Sequence, residues 1–454
     1  MRIRKQFKRL IFFIVALNFV FFQRVSAAPK ESYDPYDRIM KDIEELFPWL
    51  EIGLEFRFRV VYDNARKLDK EAVGHDRLNT RYRGRLQAKI KQSENVDINF
   101  RVVSEPRYYH RPPSMDKQLI YHEGLIDRLN VTWRNVFDQP VAAVIGRQDI
   151  KLGGGWLVID GTPLDGGRTA YFDAARFTYK PQDSNTTADL IWVQNYADTA
   201  KWLKPINDRN FDLCEQDEQG AIVYLSNKTA EYSSTDGYFI YKHDHDRSTA
   251  AGYQGEIYTF GALIGRMLND HWHFYLEFAP QFGHKDGKEL SAFGSNSQLT
   301  YHFNDDDKNQ VYVGYEYLSG NDDPDKNFDR LWGRVDTWSV LYQGTIDSID
   351  GRAYDDSNLH RIHCGWITEP SDKVEIKTHY NLLFADENTM AGGTGGLSKR
   401  GVFRGQLVRA QIKYKAGKYV SHRLEGELFF PGNFYNRDRN DTASFLRYGL
   451  VITR

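Results

Sequence analysis

The sequence predicts an all-β protein: a single transmembrane antiparallel β-barrel of about 18 strands (range roughly 16 to 20), preceded by a short N-terminal helical segment. Apolar and polar residues alternate with a period of two in most segments after Glu51, as expected for strands that face two environments. The mean hydropathy is polar, at -0.61, and aromatic residues make up 14% of the chain. Both values fit a barrel whose lipid face occupies alternate residues and carries aromatic girdles.

Residues 1–27 have the pattern of a secretory signal peptide. A basic leader, MRIRKQFKR, precedes the apolar run LIFFIVALNFVFF, and the small residues Ser26 and Ala27 follow. The run is shorter than the roughly 20 residues of a spanning helix, so we expect cleavage after Ala27 rather than an uncleaved anchor. Residues 28–50 then form an N-terminal periplasmic segment with a short helix. Its apolar stripe consists of Ile39, Met40, Ile43 and Leu46.

The barrel is expected to occupy residues 51–454, and its first strands have one apolar and one charged face. In EIGLEFRFRVVY, every even position from Ile52 to Tyr62 is apolar, whereas Glu55, Arg57 and Arg59 take odd positions. RLNTRYRGRLQAKIK and NVDINFRV repeat this alternation, and similar segments separated by turn sequences continue to Arg454. At about 22 residues per strand and connection, the region accommodates about 18 strands.

A soluble β-propeller or β-sandwich is the structural alternative. A propeller should repeat itself every 40 to 50 residues or so, and no recurring block is visible. A sandwich scatters charges of both signs over its outer faces. Strands with several arginines in succession on one face, such as RYRGR, suit a polar lumen better than an ordinary surface.

The arginines on the polar faces of the first three strands are the main candidate site. Guanidinium groups keep their charge at all ordinary pH values and bind carboxylates through two parallel hydrogen bonds. Projecting into one interior, they would concentrate anions, with acidic partners such as Glu55, Asp97 and Asp173 holding them extended. An internal salt-bridge network that only fills the lumen is the alternative. The candidates are Arg57, Arg59, Arg81, Arg83, Arg85 and Arg101.

The run GRQDIKLGGGW, residues 146–156, raises the question of a phosphate loop. Such a loop requires G-x-x-x-x-G-K-[ST] between a strand and a helix, whereas here three glycines lead into WLVID. We therefore expect a turn or bulge after the strand VAAVIGRQ. Arg147 is the residue expected to reach the lumen, although Ile145 shares its face of the strand.

Enzymatic, cofactor and nucleic-acid functions are not predicted. G-x-S-x-G is absent, and two cysteines are too few for a disulfide framework. The acidic segment NDDPDKNFD is expected to form an extracellular loop, and it lacks the glycine and terminal glutamate of an EF-hand. A weak calcium site is kept as an alternative for this segment, with Asp322, Asp323 and Asp325 as candidate ligands.

Four segments in order, GRQDIKLGGGWLVID, RTAYFDAARFTY, GYEYLSGND and ELFFPGNFY, resemble the alginate-export family of bacterial outer-membrane β-barrels. The resemblance runs from about Glu51 to Arg454. It implies a monomeric barrel in the outer membrane of a Gram-negative-type bacterium, in contact with its lipid and with periplasmic export machinery, and an arginine-rich constriction for an anionic polysaccharide. Its matching positions nominate Arg147, Gln148, Arg168, Asp173 and Arg176.

The sequence thus predicts a passive, anion-selective outer-membrane channel for an acidic polysaccharide such as alginate. A porin for small anions or other oligosaccharides is the first alternative, and a secreted β-structured enzyme or binding protein is the second. One departure from the usual barrel pattern is the terminal Arg454, where an aromatic residue normally serves barrel assembly.

Overall fold

The computed structural model describes residues 42–43, 45–65, 67–72, 74–112, 119–159, 169–209, 212–247, 253–333, 337–346, 357–388 and 397–454. The chain divides into two compact units, Met1–Glu51 and Ile52–Arg454. In the first unit, residues 42–43 and 45–46 are helical, while the predicted signal peptide, Ile39 and Met40 lie outside the described residues. Among the described residues, no helix has the length and apolar character needed to cross a bilayer.

The regular structure of the second unit is a single antiparallel sheet. Most strands bond to the next along the chain, and the last strand returns to pair with the first. The strands are β1 (Leu50–Asn64), β2 (Asp76–Lys91), β3 (Val96–Ser104), β4 (Arg107–Arg111), β5 (Leu119–Ile120), β6 (Gly124–Trp133), β7 (Val141–Gln148), β8 (Phe172–Tyr179), β9 (Thr186–Asn195), β10 (Gln216–Ala230), β11 (Ser233–Arg247), β12 (Gly255–Met267), β13 (Trp272–Lys285), β14 (Lys288–His302), β15 (Gln310–Leu318), β16 (Leu359–Ser371), β17 (Val374–Phe384), β18 (Phe403–Lys415), β19 (Val420–Pro431) and β20 (Ala443–Thr453).

Two of these strands extend the wall rather than widen it. β4 pairs with β2 and β5 pairs with β4, while β3 continues the circuit by pairing with β6. The closed wall therefore has 18 strands, and the predicted fold class is confirmed. Cys214 and Cys364 are not joined by a disulfide bond.

Connections at the two ends of the barrel differ in length. At one end, the turn end, β10 and β11 are joined by residues 231–232, and β16 and β17 by residues 372–373. At the other, the loop end, residues 149–171 and 319–358 connect β7 to β8 and β15 to β16. In outer-membrane barrels the short turns are periplasmic and the long loops extracellular.

The strands present apolar residues outward and polar residues inward. On β1, Phe56 is 44% exposed on the outer face, whereas Arg57 and Arg59 are buried on the inner face. Trp192 on β9 and Phe260 on β12 are exposed on the same outer surface. Because successive side chains of a strand point to opposite faces, period-two alternation in the sequence becomes a lipid face and a lumen face.

Three loop segments fold into the barrel at its loop end and form what we call the inner plug: residues 149–159, 327–333 and 337–346. The Trp156 indole N–H donates to Glu316 on β15 (2.7 Å), and that of Trp332 donates to Glu218 on β10 (3.0 Å). Glu427 on β19 accepts backbone N–H groups of the third segment. Apolar plug residues pack against inward-facing wall residues, so the hydrophobic core lies inside the barrel.

The three glycines of GRQDIKLGGGW allow the plug to approach the far wall. Gly153 has a φ of +53°, and a Cβ there would lie 2.7 Å from the Tyr224 hydroxyl oxygen on β10. Gly155 also has a positive φ, of +80°. Only glycine takes such a path readily, so the run is a backbone device and not a phosphate cradle.

Candidate permeation site in the lumen

A basic cavity lies inside the barrel where its first and last strands meet. Its volume is about 180 Å³. Of the described lining residues, Glu55 is the one carboxylate. The basic side chains that line it are Arg57, Arg59, Arg83, Lys413, Arg423 and Arg447.

Strand register brings these arginines together. Gly449 on β20 is the direct partner of Arg59 on β1 and also of Arg423 on β19. Since Gly449 carries no side chain, the two guanidinium-bearing residues flank an open position on the inner face. Barrel closure thus brings together Arg59 and Gly449, which are almost 400 positions apart in the sequence.

Carboxylates hold several of these groups in fixed positions. Arg83 Nε donates to Glu55 (2.6 Å), and Arg57 pairs with Glu105 (3.3 Å). Glu425 on β19 is shared by Arg447 and by Arg409 on β18. The described cations around the cavity outnumber these carboxylates, so the formal charge of this part of the lumen is net positive.

The predicted array is only partly assembled in this cavity. Arg57, Arg59 and Arg83 line it, and Arg85 lies beside it, 3.4 Å from Glu55. Arg81 donates through Nε to the Asn79 side chain (3.0 Å).

Arg101 belongs to a separate acidic network. Its guanidinium contacts Asp127 (2.8 Å) and binds Asp149 with two hydrogen bonds (2.8 and 3.0 Å). Arg128 also pairs with Asp149. Burial raises the pKa of Asp149, but hydrogen bonds from Arg101 and the charge of Arg128 outweigh it and hold that pKa below its usual range. Asp97, expected to partner the array, pairs with Arg134 instead (2.6 Å).

The residues nominated by family resemblance lie mainly in wall ion pairs. Arg147 binds Asp173 with two hydrogen bonds (2.8 and 3.0 Å), and its guanidinium lies 3.7 Å from the Tyr171 ring centroid. Arg176 binds Asp189 in the same bidentate way (2.8 and 2.9 Å). These pairs are not among the residues that line the basic cavity. Arg168 lies outside the described residues.

A backbone twist at Gly146 resolves the ambiguous parity of VAAVIGRQ without a shift of register against either neighbouring strand. Gly146 has a φ of +119°, and a Cβ there would collide with the carbonyl oxygen of Leu129. The Gln148 amide donates to the carbonyl oxygens of Val144 and Gly146 (3.0 and 3.2 Å). The twist lets Arg147 be buried, at 1%, while Ile145 on the same parity is 53% exposed.

Sequence reasoning missed the basic residues that the last strands contribute. They stand at alternate positions in LVRAQIKYK, HRLEGELFF and FLRYGLVITR, so the period-two pattern contained the signal. The pairing of β20 with β1 was needed to place them beside the first strand. They are Arg409, Lys413, Arg423 and Arg447.

The opposite wall carries carboxylates bound to tyrosines. The Tyr224 hydroxyl donates to Asp236 (2.6 Å), and the Tyr238 hydroxyl donates to Glu277 (3.0 Å). Nearer the loop end, the buried Lys285 pairs with Asp329 of the inner plug (3.1 Å). The lumen therefore differs in character between its two halves.

The weak calcium candidates contact a lysine. The Lys288 ammonium group donates to Asp323 (2.8 Å) and to Asp325 (2.7 Å), so these carboxylates already have a cationic partner. In the part of the chain that the structure describes, no group of three or more His, Cys, Asp or Glu side chains is placed to hold a metal ion.

A closed barrel with an apolar outer face and a charged lumen is suited to crossing a bilayer and conducting polar solutes. The fold and the site together define an outer-membrane channel of the porin type. The chain belongs to the Alginate export family, whose model matches residues 48–448. This match confirms the resemblance seen in the sequence.

Solved outer-membrane channels share the fold at low sequence identity. OpdK of Pseudomonas aeruginosa, determined with vanillate, is 10% identical with a TM-score of 0.56, covering 89% of this chain and 98% of its own. OccAB1 of Acinetobacter baumannii is 12% identical with a TM-score of 0.56, covering 89% and 96%. OccK3 (OpdO) of Pseudomonas aeruginosa is 12% identical with a TM-score of 0.54, covering 91% and 97%. No curated protein matches the chain by sequence.

Proposed function

We propose that this channel is anion-selective and passes an acidic polysaccharide, with alginate as the expected substrate. The observation that carries the proposal is the basic cavity, in which six cationic side chains and one carboxylate line a single space. A chain of uronate units presents one carboxylate per sugar, and each can exchange one guanidinium partner for the next.

The carboxylates beside the arginines give this exchange its reversibility. Glu55 and Glu425 already accept hydrogen bonds from Arg83 and Arg409, so a passing carboxylate competes with a resident one. Conduction needs binding that favours entry and yet permits exit. The barrel therefore lowers the barrier for a polyanion without an energy source of its own.

The proposal is tested by the ion selectivity of the purified protein in planar bilayers. Under a potassium chloride gradient, we expect a reversal potential that shows chloride to be more permeant than potassium. Short alginate oligosaccharides should block the chloride current in a concentration-dependent way. Preference for potassium contradicts the proposal, whereas chloride preference without oligouronate block favours a porin for small anions.

Delivery of the chain is part of the same proposal. The basic leader and apolar run of residues 1–27 support cleavage after Ala27. We expect the N-terminus of the protein isolated from outer membranes to begin at Ala28. An N-terminus that still contains the apolar run contradicts cleavage but leaves the channel function untouched.

A further inference from the structure

A group of buried polar side chains lies on the inner face of β16 and β17, away from the basic cavity. His363 and Asn381 are direct partners across these two strands and are 7% and 1% exposed. Directly paired side chains on one face of a sheet lie about 5 Å apart. Trp338 of the inner plug is linked to them through Arg361, whose guanidinium lies 4.9 Å from the indole ring centroid and donates to Asn381 Oδ1 (3.1 Å).

Each of these three side chains has a buried nitrogen without a hydrogen-bond partner among the described residues. The atoms are Trp338 Nε1, His363 Nε2 and Asn381 Nδ2. Buried polar atoms in native proteins are usually paired, and buried indole N–H groups usually find an acceptor. Three such atoms in one group therefore indicate that they serve a molecule that enters the lumen.

The charged groups nearby are already neutralised. Arg361 Nε donates to Glu316 (2.7 Å), and Arg409 pairs with Glu425 (2.7 Å). An amide and an indole N–H donate, whereas an imidazole nitrogen donates or accepts according to its tautomer. This combination fits hydroxyl groups, which do both, better than a carboxylate, which only accepts.

The group is also connected to the basic cavity. Arg409 donates to the backbone carbonyl oxygen of Trp338 (2.9 Å) and shares Glu425 with Arg447, which lines the cavity. The contacts thus run without interruption from a carboxylate-binding region to a set of neutral hydrogen-bonding groups.

We propose that Trp338, His363 and Asn381 form a saccharide subsite that binds the ring hydroxyls of one sugar unit, while the basic cavity binds the carboxylate of another. This subsite rests on the proposed function, since it assumes that a saccharide enters the lumen. It makes the channel selective for sugar polymers over other polyanions of equal charge.

The test measures how strongly two tetrasaccharides block the single-channel current. One is an alginate tetrasaccharide, and the other is the neutral tetrasaccharide of the maltose series. Trp338→Phe and His363→Phe remove the ring nitrogens while keeping planar rings, and we expect the double variant to bind both tetrasaccharides about tenfold more weakly, from two lost hydrogen bonds. Asn381→Leu, measured separately, should weaken both by about fivefold. Heat-modifiable gel migration verifies that each variant is a folded barrel.

The matched control is Trp366→Phe, on the outward face of β16, where Trp366 is 41% exposed; its block constants should equal those of the unaltered channel. If the folded Trp338/His363 double variant and the folded Asn381→Leu variant both keep the block constants of the unaltered channel, the subsite is refuted. Weaker block by the alginate tetramer alone also overturns it, because the group would then bind carboxylates. Potassium preference of the unaltered channel is a different result, which contradicts the proposed function itself.

Discussion

Replacing Arg59 and Arg423 by glutamine should remove much of the anion preference of the channel. Both residues flank Gly449 across the barrel closure and line the basic cavity. An ion at the centre of a cavity of this size lies on the order of 6 Å from each guanidinium, where one unit charge contributes about 0.7 kcal/mol at the dielectric constant of water. Screening at ~0.1 M salt roughly halves this value.

The two substitutions together therefore raise the free energy of an anion in the cavity by about 0.7 kcal/mol and lower that of a cation by about the same amount. The combined difference of about 1.4 kcal/mol corresponds to a decrease of about tenfold in the chloride-to-potassium permeability ratio. Reversal potentials in a potassium chloride gradient measure this ratio directly. A lower effective dielectric constant inside the barrel would make the decrease larger.

Arg266→Gln is the matched control, because this exposed arginine of β12 donates to Thr229 and Thr235 outside the cavity. Its permeability ratio should stay within about twofold of the original value. If the folded double variant also stays within that range, the cavity does not set the selectivity, and the electrostatic reasoning is refuted.

Three further changes test how the barrel and the inner plug are held. Gly146→Ala should destabilise the barrel by about 1–3 kcal/mol, because a Cβ there meets the carbonyl oxygen of Leu129; thermal unfolding followed by gel migration measures this. Trp156→Phe removes a donor to the buried Glu316 and should increase open-state current noise as the plug loosens. Burial raises the pKa of Asp329, but two nearby lysine ammonium groups outweigh it and lower that pKa well below its usual range. The ionised Asp329 therefore stabilises the plug fully above about pH 3.9, the pKa of an aspartate in an unfolded chain, and this stabilisation is lost as the pH falls further. Asp329→Asn should consequently remove a loosening of the plug that the unaltered protein undergoes below about pH 4.

Each of these changes has its own control or contrary outcome. Gly84→Ala adds a Cβ with no atom within 4 Å and should be neutral, so equal effects at both glycines would contradict the steric reasoning. Unchanged noise in the Trp156 variant would show that its hydrogen bond does not hold the plug. Plug loosening that begins between pH 5 and 7 in the unaltered protein would conflict with the lowered pKa of Asp329.

The sequence predicted the wall of the barrel well because side-chain alternation has a direct structural meaning. The period of two was enough to assign the alternate residues from Ile52 to Tyr62 to one face of the first strand. The parity of VAAVIGRQ did not determine which face Arg147 lies on, because a backbone twist at the preceding glycine changes the direction of the following side chain. Such a twist depends on the φ of Gly146, +119°, which the residue type allows but does not specify.

The lumen was harder to predict because its contacts join distant parts of the chain. Arg57 and Arg59 were expected to meet Arg81 to Arg101, yet Arg423 and Arg447 complete the cavity through the pairing of β20 with β1. Alternation does not reveal which strands close a barrel, nor that a loop tryptophan will reach a carboxylate on the far wall. Arginine spacing likewise did not show that Arg101 would be taken by two aspartates.

The most direct measurement uses the sodium salt of a short alginate oligosaccharide as the only electrolyte, at different concentrations on the two sides of a planar bilayer. The reversal potential then compares the oligouronate with sodium in the unaltered channel. We predict a reversal potential of the sign expected when the oligouronate is more permeant than sodium. A potential set by sodium permeation would contradict a lumen that selects and passes an acidic polysaccharide.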